Sequence, residues 1–170
     1  MQKVSHFPFA ANRLGLQVDL VLNTSANTLT AVDRDTGQSL SMQAFTGGQV
    51  LGDGTIVQPN TSPYLAAPKG TYLITDNPNF RVEYPDWYGL LKNDSRIDDY
   101  FDDNGKDRSG ARLHYGSTSY GCATVTAKEQ WSQLDKLLKS TTTQQTQFIK
   151  GPHFWNPAGN ITQYGTLTVK

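Results

Sequence analysis

Apolar and polar positions alternate with period two along most of this chain and switch to a helical period once. Between residues 16 and 33, Val18, Leu20 and Leu22 form one strand-like run, and Leu29, Ala31 and Asp33 alternate with Thr30 and Val32 in a second. The turn-forming stretch Asn23–Asn27 lies between them, so the segment reads as a hairpin. Asp33–Gly37 is a further turn, and Ser39–Phe45 a third strand that stops at Thr46-Gly47-Gly48. Residues 51–69 carry Gly52, Gly54, Pro59, Pro63 and Pro68 without periodicity, and read as a long loop of the kind that is often functional. Gly70–Asp76 and Phe80–Tyr84 read as strands. Residues 92–110, dense in Asp, Asn, Ser and Gly, read as a loop with one helical turn. Short strands follow at Ala111–His114 and Cys122–Val125. The helical period then appears: Trp131, Leu134, Leu137 and Leu138 share one face, with Thr126 as N-cap and Glu129 three residues on as its capping-box partner. The Ser140–Gln145 run ends the helix, Phe148–Trp155 is irregular, and Ile161–Val169 is a closing strand.

Composition narrows the picture. The 170 residues fit one domain with a sizeable core, and 15 glycines with 8 prolines suit a turn-rich β fold. A formal net charge of zero gives no argument for electrostatic capture of nucleic acid or of an anionic membrane surface. No apolar run approaches the roughly 20 residues of a membrane span. The opening MQKVSHFPFAA lacks an uninterrupted signal-peptide core, so the expectation is a protein made in the cytoplasm without a leader. No role is assigned to His6.

The chemistry concentrates in Arg112–Val125, around the one cysteine of the chain, Cys122. A single cysteine cannot form an intramolecular disulfide, and one surrounded by Gly, Ser, Tyr and His suits a nucleophile better than a core hydrophobe. His114 lies eight residues upstream. If Tyr115–Gly121, with its two glycines and three hydroxyl residues, folds back, the imidazole can take the thiol proton. Gly121 would let backbone amides approach a substrate carbonyl and form an oxyanion site.

The pattern His114-x-Gly116…Ser119-x-Gly121-Cys122 resembles the catalytic motif of the L,D-transpeptidases, and is closest to the compact form found in type VI secretion L,D-transpeptidase effectors. Thr46-Gly47-Gly48, the stretch APKGTYLIT (67–75) and the stretch RSGARLHYGSTSYGCATV (108–125) are similar to further elements of that family, over residues 16–138; residues 139–170 would be a closing segment. The resemblance implies a single-domain, β-rich L,D-transpeptidase-like β-sandwich with mixed sheets and one main helix. It implies Cys122 as nucleophile, His114 as base, Ser119 as a support of the site and Gly121 as the shaper of the oxyanion hole. The implied reaction is acyl transfer from the meso-diaminopimelate–D-alanine bond of peptidoglycan tetrapeptide stems, by hydrolysis, D-amino-acid exchange or crosslinking, with no metal and no cofactor. A secreted antibacterial effector would act in the periplasm of a target cell, delivered by a secretion apparatus and countered by an immunity protein; the loops 51–69 and 92–107 are the candidate lids and contacts. Tyr120, Ala123 and Thr124 depart from the family pattern, which often has His at the first, a larger residue at the second and Asn or Asp shortly after the cysteine.

Other residues carry competing readings. Arg112, Tyr115, Tyr120 and Trp87 are candidate substrate contacts, against a default in which arginines lie on a β edge and aromatics cap the core. Arg108 shares the arginine reading. His153 offers a rival base in the Cys-then-His order of papain-like and NlpC/P60-like cell-wall peptidases, although the helix there begins at the cysteine. The acidic run from Asp98 to Asp107 fails the calcium-loop spacing, since Gly105 at position 6 puts Tyr100 at position 1. A catalytically silent peptidoglycan-binding or secretion-adaptor domain is the alternative outside enzymes.

Overall fold

A computed structural model describes residues 15–78, 84–151, 153 and 155–170. The expected strand at Phe80–Tyr84 and His6 lie largely outside these residues. Among the described residues the chain is mostly β with one helix: β1 (Val18–Asn23), β2 (Thr28–Asp33), β3 (Ser39–Val50), β4 (Ile56–Val57), β5 (Gly70–Thr75), β6 (Tyr88–Lys92), β7 (Tyr100–Asp102), β8 (Asp107–Ser109), β9 (Arg112–Tyr115), β10 (Thr118–Val125), α1 (Lys128–Ser140), β11 (Gln144–Ile149) and β12 (Ala158–Val169).

Ten strands form one sheet, in the order β1-β2-β3-β10-β9-β6-β5-β12-β11 with β4 beside β3. The sheet curls until β1 pairs in parallel with β12, Val18 opposite Gly165 through Leu22 opposite Val169. Closure hides strand edges that would otherwise present unpaired amides. It also encloses the core: Leu20, Leu22, Leu29, Ile74, Leu90, Leu113 and Leu167 are fully or almost fully buried.

The helix covers this core with the expected face, Trp131, Leu134, Leu137 and Leu138. Its start differs from expectation. Ala127 is the N-cap and no side chain caps it. Thr126 still belongs to the sheet register: its amide donates to the Gln43 carbonyl, and its hydroxyl donates to the Gln43 side-chain oxygen at 2.9 Å. A hydroxyl engaged across the sheet cannot also serve the helix, so the capping box does not form.

Four further expectations are corrected. β3 continues through Gly47 and Gly48 to Val50, because positive φ angles of 65° and 128° let the strand bend rather than end. The loop 51–69 contains β4, paired to that extension. Residues 100–109 form the hairpin β7–β8 and not a helical turn; Asn104 and Gly105, at φ 55° and 79°, make the Asn-Gly turn that two-residue hairpins favour. Gln144–Ile149, within and beyond the polar run, is β11, an edge strand on β12.

Candidate active site

Three strands build the centre. β9 carries His114 and runs parallel to the end of β10, with His114 opposite Thr124 and Leu113 opposite Ala123. Parallel neighbours usually need a long crossover. Here the stretch 116–122 suffices, because Gly116 and Gly121 allow a compact return. β10 in turn pairs antiparallel with β3, and the register shifts between Ser119 and Ala123. Ser119 faces Gly48 and Ala123 faces Thr46, so Tyr120, Gly121 and Cys122 bulge opposite Gly47.

Ser119 holds the bulge in place of the missing ladder bonds. Its buried hydroxyl accepts from the Gly47 amide at 3.0 Å and donates to the Cys122 carbonyl at 2.7 Å. The strap 58–67 lies over the same place: Gln58 donates to the Thr46 carbonyl, and the Ala67 amide donates to the Thr46 hydroxyl, both at 2.8 Å. Contact is so close that a β-carbon on Gly47 would sit 2.5 Å from the Ala66 nitrogen and the Tyr64 carbonyl oxygen.

His114 is buried and both ring nitrogens are engaged. Nδ1 lies 2.9 Å from the Tyr115 carbonyl oxygen and Nε2 lies 3.2 Å from the Thr124 hydroxyl. A carbonyl only accepts, so Nδ1 carries the proton and Nε2 holds the free lone pair. Trp87 stacks on the imidazole at 4.0 Å and 13°, and Tyr84 stacks on Trp87 at 4.1 Å. Burial lowers the His114 pKa from its ordinary 6.5, with the Tyr115 hydrogen bond opposing. The ring is therefore neutral at physiological pH, with a basic Nε2.

Cys122 lies in the bulge, two residues before Thr124 on β10, and its sulfur accepts from the Arg112 backbone N–H of the neighbouring β9. The residue is 8% exposed. Burial raises its pKa above the ordinary 9.0; the Arg112 backbone N–H and the charges of Arg112 and Arg108 oppose this, and Asp99 adds to it. At rest Cys122 is thus a thiol and His114 a neutral imidazole.

The candidate substrate contacts divide. Trp87 belongs to the site as the platform under His114. Tyr120, 61% exposed, pairs with Tyr64 at 5.4 Å on the strap, and Tyr115 is exposed on the opposite side of β9 from His114. Arg112 departs from expectation. It is 4% exposed, and its guanidinium is spent on a bidentate pair with Asp99 at 2.6 and 2.8 Å and on Asn77 at 2.8 Å. It has no free edge for a substrate carboxylate. His153 is exposed, stacks on Trp155 at 4.4 Å, and follows β11, which four strands separate from β10. The structure does not bring it to Cys122. Among the described residues no cluster of His, Cys, Asp or Glu could hold a metal ion. A cavity of about 430 Å³ shares Trp87 and Asn77 with the site and is walled by Tyr84, Tyr88, Tyr164, Asp76, Asp86 and Asp135.

Sequence reading missed the roles of Thr124, the Tyr115 carbonyl and Arg108. Thr124 had a signal, since it shares period two with Cys122; a backbone carbonyl has none.

Comparison with known proteins adds the family. The sequence matches the Tlde1 domain over residues 41–148. This chain belongs to the Tlde1 domain family. All of the candidate centre, including Trp87, His114, Ser119 and Cys122, falls inside the matched Tlde1 stretch, and His153 falls outside it. β1, β2 and β12, which close the sheet, also lie outside it. Among solved structures, the chain is similar to an L,D-transpeptidase from Mycobacterium smegmatis, at 13% identity and a TM-score of 0.40. That similarity covers 92% of this chain and 59% of the other, so the chain spans about 59% of that protein. Comparison with curated proteins finds no match.

Proposed function

We propose that this Tlde1-family chain is a cysteine-dependent enzyme of peptidoglycan, acting on tetrapeptide stems at the bond between meso-diaminopimelate and the terminal D-alanine. The observation that carries the reading is the imidazole tautomer: the Tyr115 carbonyl holds the Nδ1 proton, which leaves Nε2 as a base beside Thr124, two residues from Cys122 on the same strand.

The reaction proceeds by general-base attack. Nε2 of His114 takes the thiol proton as the sulfur adds to the stem carbonyl. Backbone amides around Gly121 receive the oxyanion. The imidazolium returns its proton to the departing D-alanine amine, and a thioester remains on Cys122. Water then releases a tripeptide, a free D-amino acid gives exchange, and a stem amine gives a crosslink. The Trp87 stack and the Tyr115 carbonyl hold the ring flat through both proton transfers. Thr124, where Asn or Asp often stands, offers Nε2 a neutral hydroxyl that yields to the thiol proton.

The resemblance to type VI effectors supports a place for this activity: delivery by a secretion apparatus into the periplasm of a rival cell, with an immunity protein covering the site.

Mass spectrometry of tetrapeptide muropeptides incubated with the wild type, Cys122→Ala, His114→Ala and His153→Ala tests the reading. Loss or exchange of one alanine that needs Cys122 and His114, and not His153, is the expected result. Dependence on His153 would move the activity to the papain-like class, and binding without turnover by any form would leave a binding domain.

A further inference from the structure

Arg108 stands outside the main sheet, on β8 of the hairpin β7–β8, yet its guanidinium reaches the catalytic bulge. Nη1 donates to the Ala66 carbonyl at 2.7 Å and to Asp103 at 2.6 Å, and Nη2 donates to the Leu65 carbonyl at 3.0 Å. The Phe101 ring lies 5.5 Å below it. The side chain is only 16% exposed. A β-carbon on Gly121 would lie 2.2 Å from Arg108 Nη2 and 3.1 Å from the Leu65 oxygen. The guanidinium therefore rests on the α-carbon of the residue before Cys122. Gly121 itself has φ 100°, a conformation its neighbours must hold.

We infer that Arg108 is a positioning residue for the nucleophile, its planar fork joining the strap at Leu65–Ala66 to the β7–β8 hairpin and seating the Gly121–Cys122 backbone beneath it. The inference rests on the reading of Cys122 as nucleophile. Only an arginine suits the place: three acceptors on two segments lie in one fan, which a lysine ammonium on a flexible stem cannot serve together. The same charge favours the thiolate. Arg112 does so too, and its partner Asp99 acts in the opposite sense; Arg108 is likewise paired, with Asp103. Arg108 thus has two separable effects, one of charge and one of shape.

Two variants separate them, each checked for folding by thermal unfolding. Arg108→Gln loses charge and fork. Alkylation of Cys122 by iodoacetamide at pH 8 should fall about threefold to tenfold, its pH midpoint moving upward. The kcat for tetrapeptide should fall about tenfold or more with KM within about twofold, because positioning acts on the reacting atoms and not on general substrate affinity. Arg108→Lys keeps the charge and loses the fork: the alkylation profile should stay near wild type while kcat still falls about fivefold. A folded Arg108→Gln with wild-type alkylation and wild-type kcat overturns the inference. Should that variant not fold, an unchanged kcat in Arg108→Lys overturns it alone. Alkylation needs no substrate, so if wild type leaves tetrapeptides untouched while Arg108→Gln still slows alkylation, the functional reading fails and the effect of the Arg108 charge on Cys122 stands by itself.

Discussion

The wall made by β1, β2 and β12 and the centre made by β3, β10 and β9 are parts of one sheet built on opposite rules. In the wall, β1 buries every second residue and its ladders with β2 and β12 run without a shift. Each residue has one neighbour opposite and one face to fill, so a hydrophobic of the right size satisfies it. In the centre the ladder between β10 and β3 breaks, burial is continuous from Gly121 to Val125, and Ser119 supplies the bonds the bulge removes. The wall tolerates substitution by volume, and the centre only by geometry. The proposed chemistry sits where the regular ladder is given up, because a bulge can aim a thiol and an amide where a straight strand cannot.

The largest expected contrast sets Cys122→Ala against Leu20→Ala. The first should abolish turnover, about 10⁴-fold or more, and leave urea stability nearly unchanged. The second should cost about 2–5 kcal/mol in urea unfolding and leave turnover per folded molecule at wild type. Equal loss of activity in both would erase the distinction between the regions.

Trp87→Ala comes next. Opening the stack to water should let the His114 pKa rise toward 6.5, moving the acid limb of kcat/KM to higher pH and lowering the rate about tenfold. An unmoved limb would mean the stack does not govern the base. The same shift acts on stability. A His pKa depressed by folding contributes stability that is fully present above 6.5 and is lost as pH falls toward the folded value. The raised Cys122 pKa contributes stability present below 9.0 and lost as pH rises above it. Chemical denaturation of wild type against the Cys122→Ala and His114→Ala forms should show both differences at those ends of the pH range.

A smaller effect is expected at Ser119→Ala. It strands the Gly47 amide and the Cys122 carbonyl, at about 1–3 kcal/mol for each buried group. Its kcat should fall further than a wall variant of equal stability does; a fall no greater than that would reduce Ser119 to a turn hydroxyl. Smallest is Thr124→Val, near in shape, which should change kcat/KM by about threefold or less. A large loss would show that the hydroxyl orients Nε2 and does not merely wait on it.

Legibility in the sequence followed the same division. Val18, Leu20, Leu22, Leu29 and Ala31 were readable as strands because their burial depends on period two alone. The helix face from Trp131 to Leu138 was readable for the corresponding reason at period 3.6. The helix start was not, since Thr126 satisfies its hydroxyl across the sheet on Gln43. The β7–β8 hairpin carried its Asn104-Gly105 signal inside an acidic run that disguised it. His114 and Cys122 stood out because their residue types are costly to keep together without chemistry. Arg112 and Arg108 could not be ranked by sequence. One is paired with Asp99; the other is paired with Asp103 and ties the strap to the β7–β8 hairpin against Gly121, and these partners are set by the fold.

Sequence by itself determined the β-rich class and the apolar faces and singled out His114 and Cys122 as candidates, because alternation, helical period and residue chemistry are local properties. Tertiary structure alone decided that β1 closes on β12, that the Tyr115 carbonyl selects the His114 tautomer, that His153 stays away from Cys122, and that Arg108 lies against Gly121. Closure, the separation of His153 and the Arg108–Gly121 approach depend on segments apart in sequence, set by register, bulge and burial; Tyr115 is next to His114 in the chain, and it is the burial of the ring that fixes it on that carbonyl.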